Sequence, residues 1–246
     1  MARNQHDHFY RMAKKEGYRS RASYKLKQIN TRFHIIRRGD AVVDLGAAPG
    51  GWTQVAAELA GNHGRVVGVD LQSISSIDGA TTIVGDIRSE ATLDAIRQVA
   101  RSADVVLSDA APNLAGDWSY DHARSVDLAE HALGCAQKIL RPGGNFVVKV
   151  FQGDLFPGYL QNVRVLFRNA YSHSPMASRK ASAEMYIVAK MFRGDKGATS
   201  TRDPTNVRNA SNVPGVPRSL KSTRGDRGGR GRGRGGGDRK DPGDSI

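Results

Sequence analysis

The chain has 246 residues, and its 37 lysines and arginines against 24 aspartates and glutamates give a formal net charge of +13. It contains no run of about 18 apolar residues, its N-terminus is polar, and its only cysteine is Cys135. We therefore expect no transmembrane helix, no signal peptide, no intramolecular disulfide framework and no cysteine-based zinc or iron–sulfur site. A cytoplasmic protein of one domain with additional basic material fits these features.

The positive charge lies at the two ends of the chain. Residues 1–38 carry 11 basic against 2 acidic residues, residues 39–192 carry 13 against 16, and residues 193–246 carry 13 against 6. This distribution favours a polyanionic partner, with nucleic acid ahead of an anionic membrane. We expect a basic RNA-facing segment (1–38), a folded core (39–192) and a basic tail (193–246).

The first predicted element is an amphipathic helix within Ser20–Phe33. Its apolar residues Ala22, Leu26, Ile29 and Phe33 recur at helical spacing, and basic residues surround them. We expect the apolar stripe to pack on the core while the cations face solvent. Those cations can form a basic surface beside the active site.

The middle of the chain alternates short apolar runs with helical stretches. Strands are predicted at Ala41–Leu45, Val66–Asp70, Thr81–Gly85, Asp104–Asp109, Asn145–Phe151, Ala170–Ser174 and Met185–Phe192. Helices are predicted at Trp52–Ala60, Ser89–Arg101, Asp121–Leu140 and Leu155–Phe167, with Pro142-Gly143-Gly144 stopping the third. Apolar strands between helices indicate a doubly wound α/β fold with a parallel sheet covered on both faces. A ligand should then lie beyond the carboxyl ends of the strands.

The last 54 residues, Arg193–Ile246, have no aromatic residue and hold 12 of the 28 glycines. Such a segment cannot bury enough apolar surface to offset the entropy of ordering it, so a disordered C-terminal tail is predicted. Within it, Arg224–Arg239 reads RGDRGGRGRGRGGGDR, a pattern typical of contacts with single-stranded nucleic acid. A solubilising tail without a partner is the alternative.

The sequence DLGAAPGGWT (Asp44–Thr53) joins the first strand to its helix. Gly46, Gly50 and Gly51 allow a tight turn and a close approach of the backbone to a ligand. No Gly-Lys-Ser/Thr follows, which argues against a Walker A loop, and the spacing differs from G-x-G-x-x-G, which weakens a dinucleotide site.

Asp70 and Asp86 follow the next two predicted strands. At these positions, Asp70 can accept hydrogen bonds from ribose hydroxyls and Asp86 can accept one from an adenine amino group. An acidic site suits a nucleoside that carries a positively charged sulfonium, and S-adenosylmethionine (SAM) meets that description. One such aspartate alone is more often a solvated residue or a helix cap, so the prediction depends on the combination.

Longer motifs extend this pattern. They are KKEGYRSRASYKL (Lys14–Leu26), VVDLGAAPGGWTQ (Val42–Gln54), SDAAPN (Ser108–Asn113), FVVKVFQG (Phe146–Gly153) and SRKASAEMYIVA (Ser178–Ala189). Through these motifs the chain, from about Asp7 to Phe192, resembles the FtsJ/RrmJ family of SAM-dependent ribose 2′-O-methyltransferases. The resemblance implies a Rossmann-like class I methyltransferase fold, with a seven-stranded, mostly parallel sheet and an antiparallel last strand.

The resemblance also implies a Lys-Asp-Lys-Glu catalytic set. Its members fall on Lys25 in SYKL, Asp109 in SDAAP, Lys149 in VVKVF and Glu184 in SAEMY. The implied SAM contacts fall on Gly50, Trp52, Asp70, Asp86 and Asp109. No metal is implied, and the sequence offers no convincing cluster of metal ligands.

The chemistry of Lys149 supports a catalytic role. It lies within an apolar strand, where a charged ammonium is costly, and partial desolvation makes a lysine a better base at neutral pH. Asp109 and Glu184, at neighbouring strand ends, would hold it in position but favour its ammonium form. Which effect is larger stays open, as does the alternative of a lysine that snorkels from a strand edge.

We therefore predict methyl transfer from SAM to a ribose 2′-hydroxyl, with Lys149 removing or steering the hydroxyl proton. The family implies a nucleotide of large-subunit ribosomal RNA, uridine in its ribosomal members, in free RNA or in the large ribosomal subunit. The alternatives are methylation of tRNA anticodon-loop riboses, a SAM-binding RNA-binding or ribosome-assembly factor, and a methyltransferase of proteins or small molecules. Nothing in the sequence demands a dimer, so a monomer is favoured.

Overall fold

The computed structural model describes residues 2–179 and 182–194. These residues belong to one compact unit. The predicted tail lies outside the described residues from position 195 onward, and with it the Arg-Gly segment Arg224–Arg239. Across the described ranges, no helix combines the length and the apolar character needed to cross a membrane.

Seven strands form one sheet. They are β1 (Ala41–Leu45), β2 (Arg65–Asp70), β3 (Ala80–Val84), β4 (Ala103–Ser108), β5 (Leu140–Phe151), β6 (Phe167–His173) and β7 (Glu184–Phe192). Their order is β3-β2-β1-β4-β5-β7-β6, with parallel pairing from β3 to β5 and antiparallel pairing of β7 with β5 and with β6. This confirms the predicted doubly wound sheet with an antiparallel last strand. The winding reverses at β1, so the ligand crevice is expected beyond the carboxyl ends of β1 and β4.

Helices cover both faces of the sheet. They are α1 (Ala2–Lys15), α2 (Ser23–Phe33), α3 (Gly51–Ala60), α4 (Glu90–Ala100), α5 (Trp118–Ile139) and α6 (Phe156–Leu166). Successive side chains of a strand point to opposite faces. Val43 of β1 therefore belongs to the core cluster of α4, α5 and α6, whereas Val42 belongs to that of α2 and α3. Burial on both faces explains why these strands read as continuous apolar runs.

The start of β5 differs from the prediction of a break between helix and strand. α5 ends at Ile139, and β5 begins at once at Leu140. Its pairing with β4 then shifts in register before regular pairing resumes at Asn145. Pro142 has no backbone N–H to donate, and Gly143 adopts a φ of 84°, so these residues form an irregularity within the strand. The other predicted strands and helices of the core lie within a few residues of the observed ones.

The predicted N-terminal stripe packs on the core as expected. Leu26 and Ile29 of α2 are fully buried beside Trp52 and Val55 of α3. Lys25 departs from the expectation that the cations of this helix face solvent, because its side chain is buried. Inside the protein, its ammonium pairs with the carboxylate of Glu184.

The helix α1 was not predicted from the sequence. Its apolar residues Phe9, Met12 and Ala13 do recur at helical spacing, but they span little more than one turn, and polar residues dominate the rest of the helix. In the fold, Ala13 is buried, and Phe9 and Met12 pack beside Tyr24 and Ala177. Tertiary contacts therefore stabilise a helix that the local pattern does not reveal.

Candidate active site

A cavity of about 580 Å³ opens where β1, β2, β3 and β4 end. Asp70, Asp86 and Asp109 all line it, as do Gly46 and Gly85. The three carboxylates predicted at strand ends thus face one space, at the position that the topology assigns to a ligand. Within the described part of the chain, no group of three or more histidine, cysteine, aspartate or glutamate residues is placed to hold a metal ion.

The loop between β1 and α3 needs its glycines for packing. Gly46 has a φ of 72°, and a Cβ there would lie 2.5 Å from the Cβ of Ala110. Gly50 has a φ of 108°, and a Cβ there would lie 2.7 Å from Cδ1 of Ile77. Gly46 therefore brings the backbone against the cavity wall, whereas Gly50 packs against the β2–β3 connection.

Two of the predicted SAM contacts, Gly50 and Trp52, are not part of the cavity wall. The side chain of Trp52 is 3% exposed, and its Nε1 donates a 2.8 Å hydrogen bond to the carbonyl of Ala22. Its ring stacks on Tyr186, with 5.7 Å between centroids. The geometry thus gives the indole a packing role between the N-terminal segment and β7, and its contact with SAM stays a prediction.

Backbone N–H groups orient the two cavity aspartates. Oδ2 of Asp70 accepts from Ala48 and Oδ1 accepts from Gln72, each at 2.9 Å. Oδ1 of Asp86 accepts from the N–H of Arg88 at 2.9 Å. Because a carboxylate oxygen has two acceptor positions, both side chains keep acceptor capacity for a ligand.

Behind the same loop, Asp44 is buried in β1. Its Oδ2 accepts a 2.7 Å hydrogen bond from Oγ1 of Thr53, whereas Oδ1 has no hydrogen-bond partner among the described residues. Burial raises the pKa of Asp44 to about 7; the bond from Thr53 opposes this shift, and the charges of Asp109 and Asp70 add to it. In the sequence, Asp44 stands out only as the start of the loop. A carboxylate inside an apolar strand was the available signal.

Lys149 of β5 lies between two carboxylates. Its Nζ is 3.1 Å from Oδ1 of Asp109 and 3.9 Å from Oε1 of Glu184, and it donates a 2.6 Å hydrogen bond to the carbonyl of Asp109. Its side chain is 6% exposed. The strand order produces this arrangement, because β5 pairs with β4 on one side and with β7 on the other.

Lys25 reaches the same place from α2. Its Nζ donates to Oε2 of Glu184 and to the hydroxyl of Tyr186, each at 2.9 Å. The hydroxyl of Tyr186 in turn donates to Oδ1 of Asp109 at 2.6 Å. The structure thus brings together all four residues of the predicted catalytic set. We name these four residues, together with Tyr186, the lysine cluster; in it, two ammonium groups face two carboxylates.

Tyr186 is the member of the lysine cluster that the sequence reasoning missed. It is fully buried, and burial raises its pKa well above the ordinary value, with the charges of Asp109 and Glu184 adding to the rise. The hydroxyl therefore stays protonated and can donate to Asp109. The available signal was its spacing, since a residue two positions after Glu184 lies on the same face of β7.

Arg19 connects the N-terminal segment to the loop after β1. Its guanidinium donates to the carbonyls of Pro49, Ser75 and Ser76, at 3.3, 2.8 and 2.6 Å. Its backbone N–H donates to Oε1 of Gln54 at 2.9 Å. The segment predicted to face RNA is therefore bonded directly to the loop beside the cavity. Nothing in the sequence distinguished Arg19 from its basic neighbours.

Known proteins share this architecture and sequence. A family model described as FtsJ-like methyltransferase matches residues 18–192. The chain is 61% identical over 204 residues to the ribosomal RNA large subunit methyltransferase E of Methanosarcina barkeri, covering 80% of this chain and 77% of that protein. It is 50% identical over 191 residues to the Archaeoglobus fulgidus protein of the same name, covering 78% of this chain and 98% of that protein.

A solved structure agrees with these sequence matches. The fold is similar to the crystal structure of a Plasmodium falciparum protein provisionally described as a ribosomal RNA methyltransferase, with a TM-score of 0.67 and 26% identity. The likeness covers 72% of this chain and 100% of that one. The family match spans most of the chain, and its range contains the cavity and the whole lysine cluster. The chain belongs to the FtsJ-like methyltransferase family.

Proposed function

We propose that the protein transfers a methyl group from SAM to a ribose 2′-hydroxyl of large-subunit ribosomal RNA. The observation that carries this proposal is the position of Asp109. Its carboxylate belongs to the wall of the cavity and also contacts Lys149 of the lysine cluster. A cofactor in the cavity and an acceptor hydroxyl at the cluster would therefore meet at one carboxylate, which is the proximity that direct transfer needs.

The cavity residues fit SAM. Arg88 at the cavity wall pairs with Asp127 at 3.3 Å, and Asp109 pairs with Lys149. Asp70 and Asp86 form no ion pair among the described residues. With Arg124 also at the wall, the four cavity aspartates exceed the charges of Arg88, Arg124 and Lys149 by one. That charge suits a sulfonium, and the free acceptor positions suit the hydroxyl and amino groups of adenosine. When bound, SAM supplies an electrophilic methyl group.

The lysine cluster provides the groups that the acceptor needs. Lys149 is held by Asp109 and Glu184, with its Nζ fixed beside the cavity wall. In this role a neutral amine at Lys149 takes the proton of the 2′-hydroxyl, whereas an ammonium at the same position orients the hydroxyl. Lys25 and Glu184, joined at 2.9 Å, hold the ribose. The ammonium of Lys25 at the acceptor also favours the approach of a phosphodiester chain.

The choice of ribosomal RNA rests on the relatives and on charge. The curated relatives compared above are named as large-subunit ribosomal RNA methyltransferases. Residues 1–38 carry 11 basic against 2 acidic residues, and this segment contributes Lys25 to the lysine cluster. A cationic segment bonded to the reaction site suits a polyanionic substrate.

The test is methyl transfer from labelled SAM to ribosomal RNA, tRNA or protein, with the modified nucleotide mapped. We expect label at a ribose 2′-oxygen of large-subunit ribosomal RNA. Lys149→Ala should lower kcat about 10²- to 10⁴-fold, the usual contribution of a general acid–base group, while the Kd for SAM stays unchanged. The matched control is Lys138→Ala, at an exposed lysine of α5 that pairs with Glu90.

Three results would contradict the proposal. Label confined to tRNA would assign the protein to the tRNA alternative. Label in protein would show that the substrate is not RNA. Near-normal turnover of Lys149→Ala would remove Lys149 from the proton-handling role.

We further propose that residues 193–246 form a basic arm that binds RNA. The proposal rests on composition, since these residues carry 13 basic against 6 acidic side chains and include the Arg-Gly segment. Deleting the arm should weaken RNA binding and reduce its dependence on salt, because fewer counterions are released on binding. Turnover at saturating RNA should stay largely intact. Loss of turnover even at saturation would show that the arm takes part in the reaction.

A further inference from the structure

Two large aromatic side chains are exposed at the start of α5. Trp118 is 53% exposed and Tyr120 is 55% exposed. They follow the β4–α5 loop, which begins at Asp109 of the lysine cluster. The carboxylate of Asp117 caps this end of the helix by accepting from the N–H of Tyr120 at 2.8 Å. The two rings therefore project from a defined helix start.

The indole of Trp118 lies close to the lysine cluster. Its ring stacks on Phe151, with 6.1 Å between centroids and 18° between planes. Phe151 is two residues after Lys149 on β5, so both side chains are on one face, and Phe151 is also the register partner of Glu184 on β7. The ring of Phe151 thus lies between the exposed indole and the sheet face that carries Lys149 and Glu184.

The support beneath the indole is fixed. Trp118 also stacks on His122, with 6.1 Å between centroids and 15° between planes. His122 is buried, and its Nε2 accepts from the N–H of Leu155 at 3.1 Å. Gly153 leaves room for this ring, since a Cβ there would lie 2.7 Å from Nε2 of His122. A ring backed in this way loses little conformational freedom when a flat ligand covers it.

A guanidinium group lies beside one of these rings. The guanidinium of Arg124 lies 5.5 Å from the centroid of the Tyr120 ring and donates to the carbonyl of Asn113 at 2.9 Å. Arg124 and Asn113 both line the cavity. Exposed aromatic rings interleaved with guanidinium groups are typical of surfaces that bind unpaired nucleotides, where bases stack and cations meet the phosphates.

We propose that Trp118 is a stacking platform for an unpaired base of the substrate RNA, next to the nucleotide whose ribose enters the lysine cluster. The proposal deepens the proposed function and rests on it. A base stacked on the indole holds the RNA strand at a fixed distance from Lys149. The platform would restrict the enzyme to RNA whose target nucleotide lies beside unpaired neighbours, because a base inside a duplex has no free face to offer.

The chain offers a direct optical test, because its only two tryptophans are Trp52 and Trp118. Trp52 is 3% exposed, so Trp118 supplies the accessible emission. Unmodified large-subunit ribosomal RNA transcribed in vitro should quench the tryptophan fluorescence of the wild-type protein. Trp118→Phe should lose this quenching. A fully paired RNA duplex of equal length should bind without quenching either protein.

Steady-state kinetics with the same RNA give the functional readout. Trp118→Ala should raise the KM for RNA roughly 5- to 150-fold, the loss expected for one base stack, with kcat at saturating RNA and the Kd for SAM nearly unchanged. Trp118→Phe should keep most of the affinity, because a phenyl ring also stacks. Tyr171→Ala, at a 47% exposed tyrosine that packs on Phe33, is the matched control and should change neither quantity.

Two fluorescence results would overturn the platform: no quenching of the wild type by RNA, or quenching that persists in Trp118→Phe. Two kinetic results would also overturn it. One is an unchanged KM in Trp118→Ala, and the other is a defect of Trp118→Ala only on assembled subunits, which would indicate a protein contact. Failure of the proposed function looks different. In that case RNA would still quench Trp118 emission, but the wild-type protein would not methylate ribosomal RNA.

Discussion

The cavity and the lysine cluster are adjacent, and both contain carboxylates. They differ in whether a cationic side chain pairs with those carboxylates. Asp70 and Asp86 are held by backbone N–H groups and keep their charge unmatched. Asp109 and Glu184 are matched by the ammonium groups of Lys149 and Lys25. Carboxylates without a cationic partner favour the binding of a cation, whereas carboxylates paired with lysines hold those lysines in place. Under the proposed function, this difference corresponds to cofactor binding on one side and proton handling on the other.

Asp109→Asn tests both sides at once, because Asp109 is the residue they share. The substitution removes the ion pair with Lys149 and one charge from the cavity wall. We expect kcat/KM to fall at least about 10³-fold, together with a weaker affinity for SAM. Turnover measurements and calorimetric titration of SAM check both effects. The matched control is Asp127→Asn, at another cavity aspartate, and a similar loss there would contradict the special position of Asp109.

Asp70→Asn tests the cavity side alone. A neutral amide loses charge and acceptor capacity. Hydrogen bonds to charged groups contribute about 1.5–3 kcal/mol, which corresponds to a roughly 10- to 150-fold higher Kd for SAM. kcat at saturating SAM should change little, since Asp70 is not part of the lysine cluster. A variant with normal Kd and reduced kcat would reverse the assignment of the two sides.

Tyr186→Phe tests the lysine cluster alone. The change removes the hydroxyl that accepts from Lys25 and donates to Asp109, without altering the packing of the ring. We expect kcat to fall about tenfold and the free energy of unfolding to fall by about 1–2 kcal/mol. The Kd for SAM should stay at its wild-type value. Single-turnover kinetics and chemical denaturation measure these quantities, and unchanged kcat would reduce Tyr186 to a core residue.

Asp44→Asn tests the buried carboxylate behind the cavity through stability, with the smallest expected effect on turnover. The pKa of Asp44 is raised to about 7, so between pH 4 and 7 the folded protein keeps a proton that the unfolded chain has lost. The free energy of unfolding of the wild type should therefore decrease as the pH rises through this window. The asparagine variant lacks this contribution, so it should gain stability relative to the wild type from pH 5 to pH 8. Parallel denaturation curves at the two pH values would contradict the raised pKa.

The sequence was sufficient for most of the core, and the reason is physical. Strands such as β1 and β4 are buried on both faces, so their apolar runs are unambiguous, and charged residues at their ends mark the carboxyl edge of the sheet. The helix α1 escaped prediction because its stability comes from contacts with Tyr24 and Ala177, which are remote in sequence. Local patterns do not record such contacts.

The site was predictable in its residues more than in its geometry. The family resemblance pointed to Lys149, and its place inside an apolar strand supported that assignment. The burial of Lys25, in contrast, depends on partners 159 and 161 positions away. Tyr186 was not singled out, because an aromatic side chain in a final strand is usually a core residue. Arg19 read as one cation among many, and only the fold reveals that three carbonyls converge on it.

The long span between Lys25 and Glu184 has a consequence for the order in which the protein is made. Translation produces α2 early and β7 late, so a growing chain contains Lys25 long before it contains Glu184 or Tyr186. Until then the ammonium of Lys25 lacks the partners that make its burial favourable, and we expect α2 to dock firmly only after β7 has inserted beside β5. The aspartates of the cavity wall follow α2 and precede β7 in the chain. A nascent chain thus contains every residue of the cavity wall before its final strand can complete the lysine cluster.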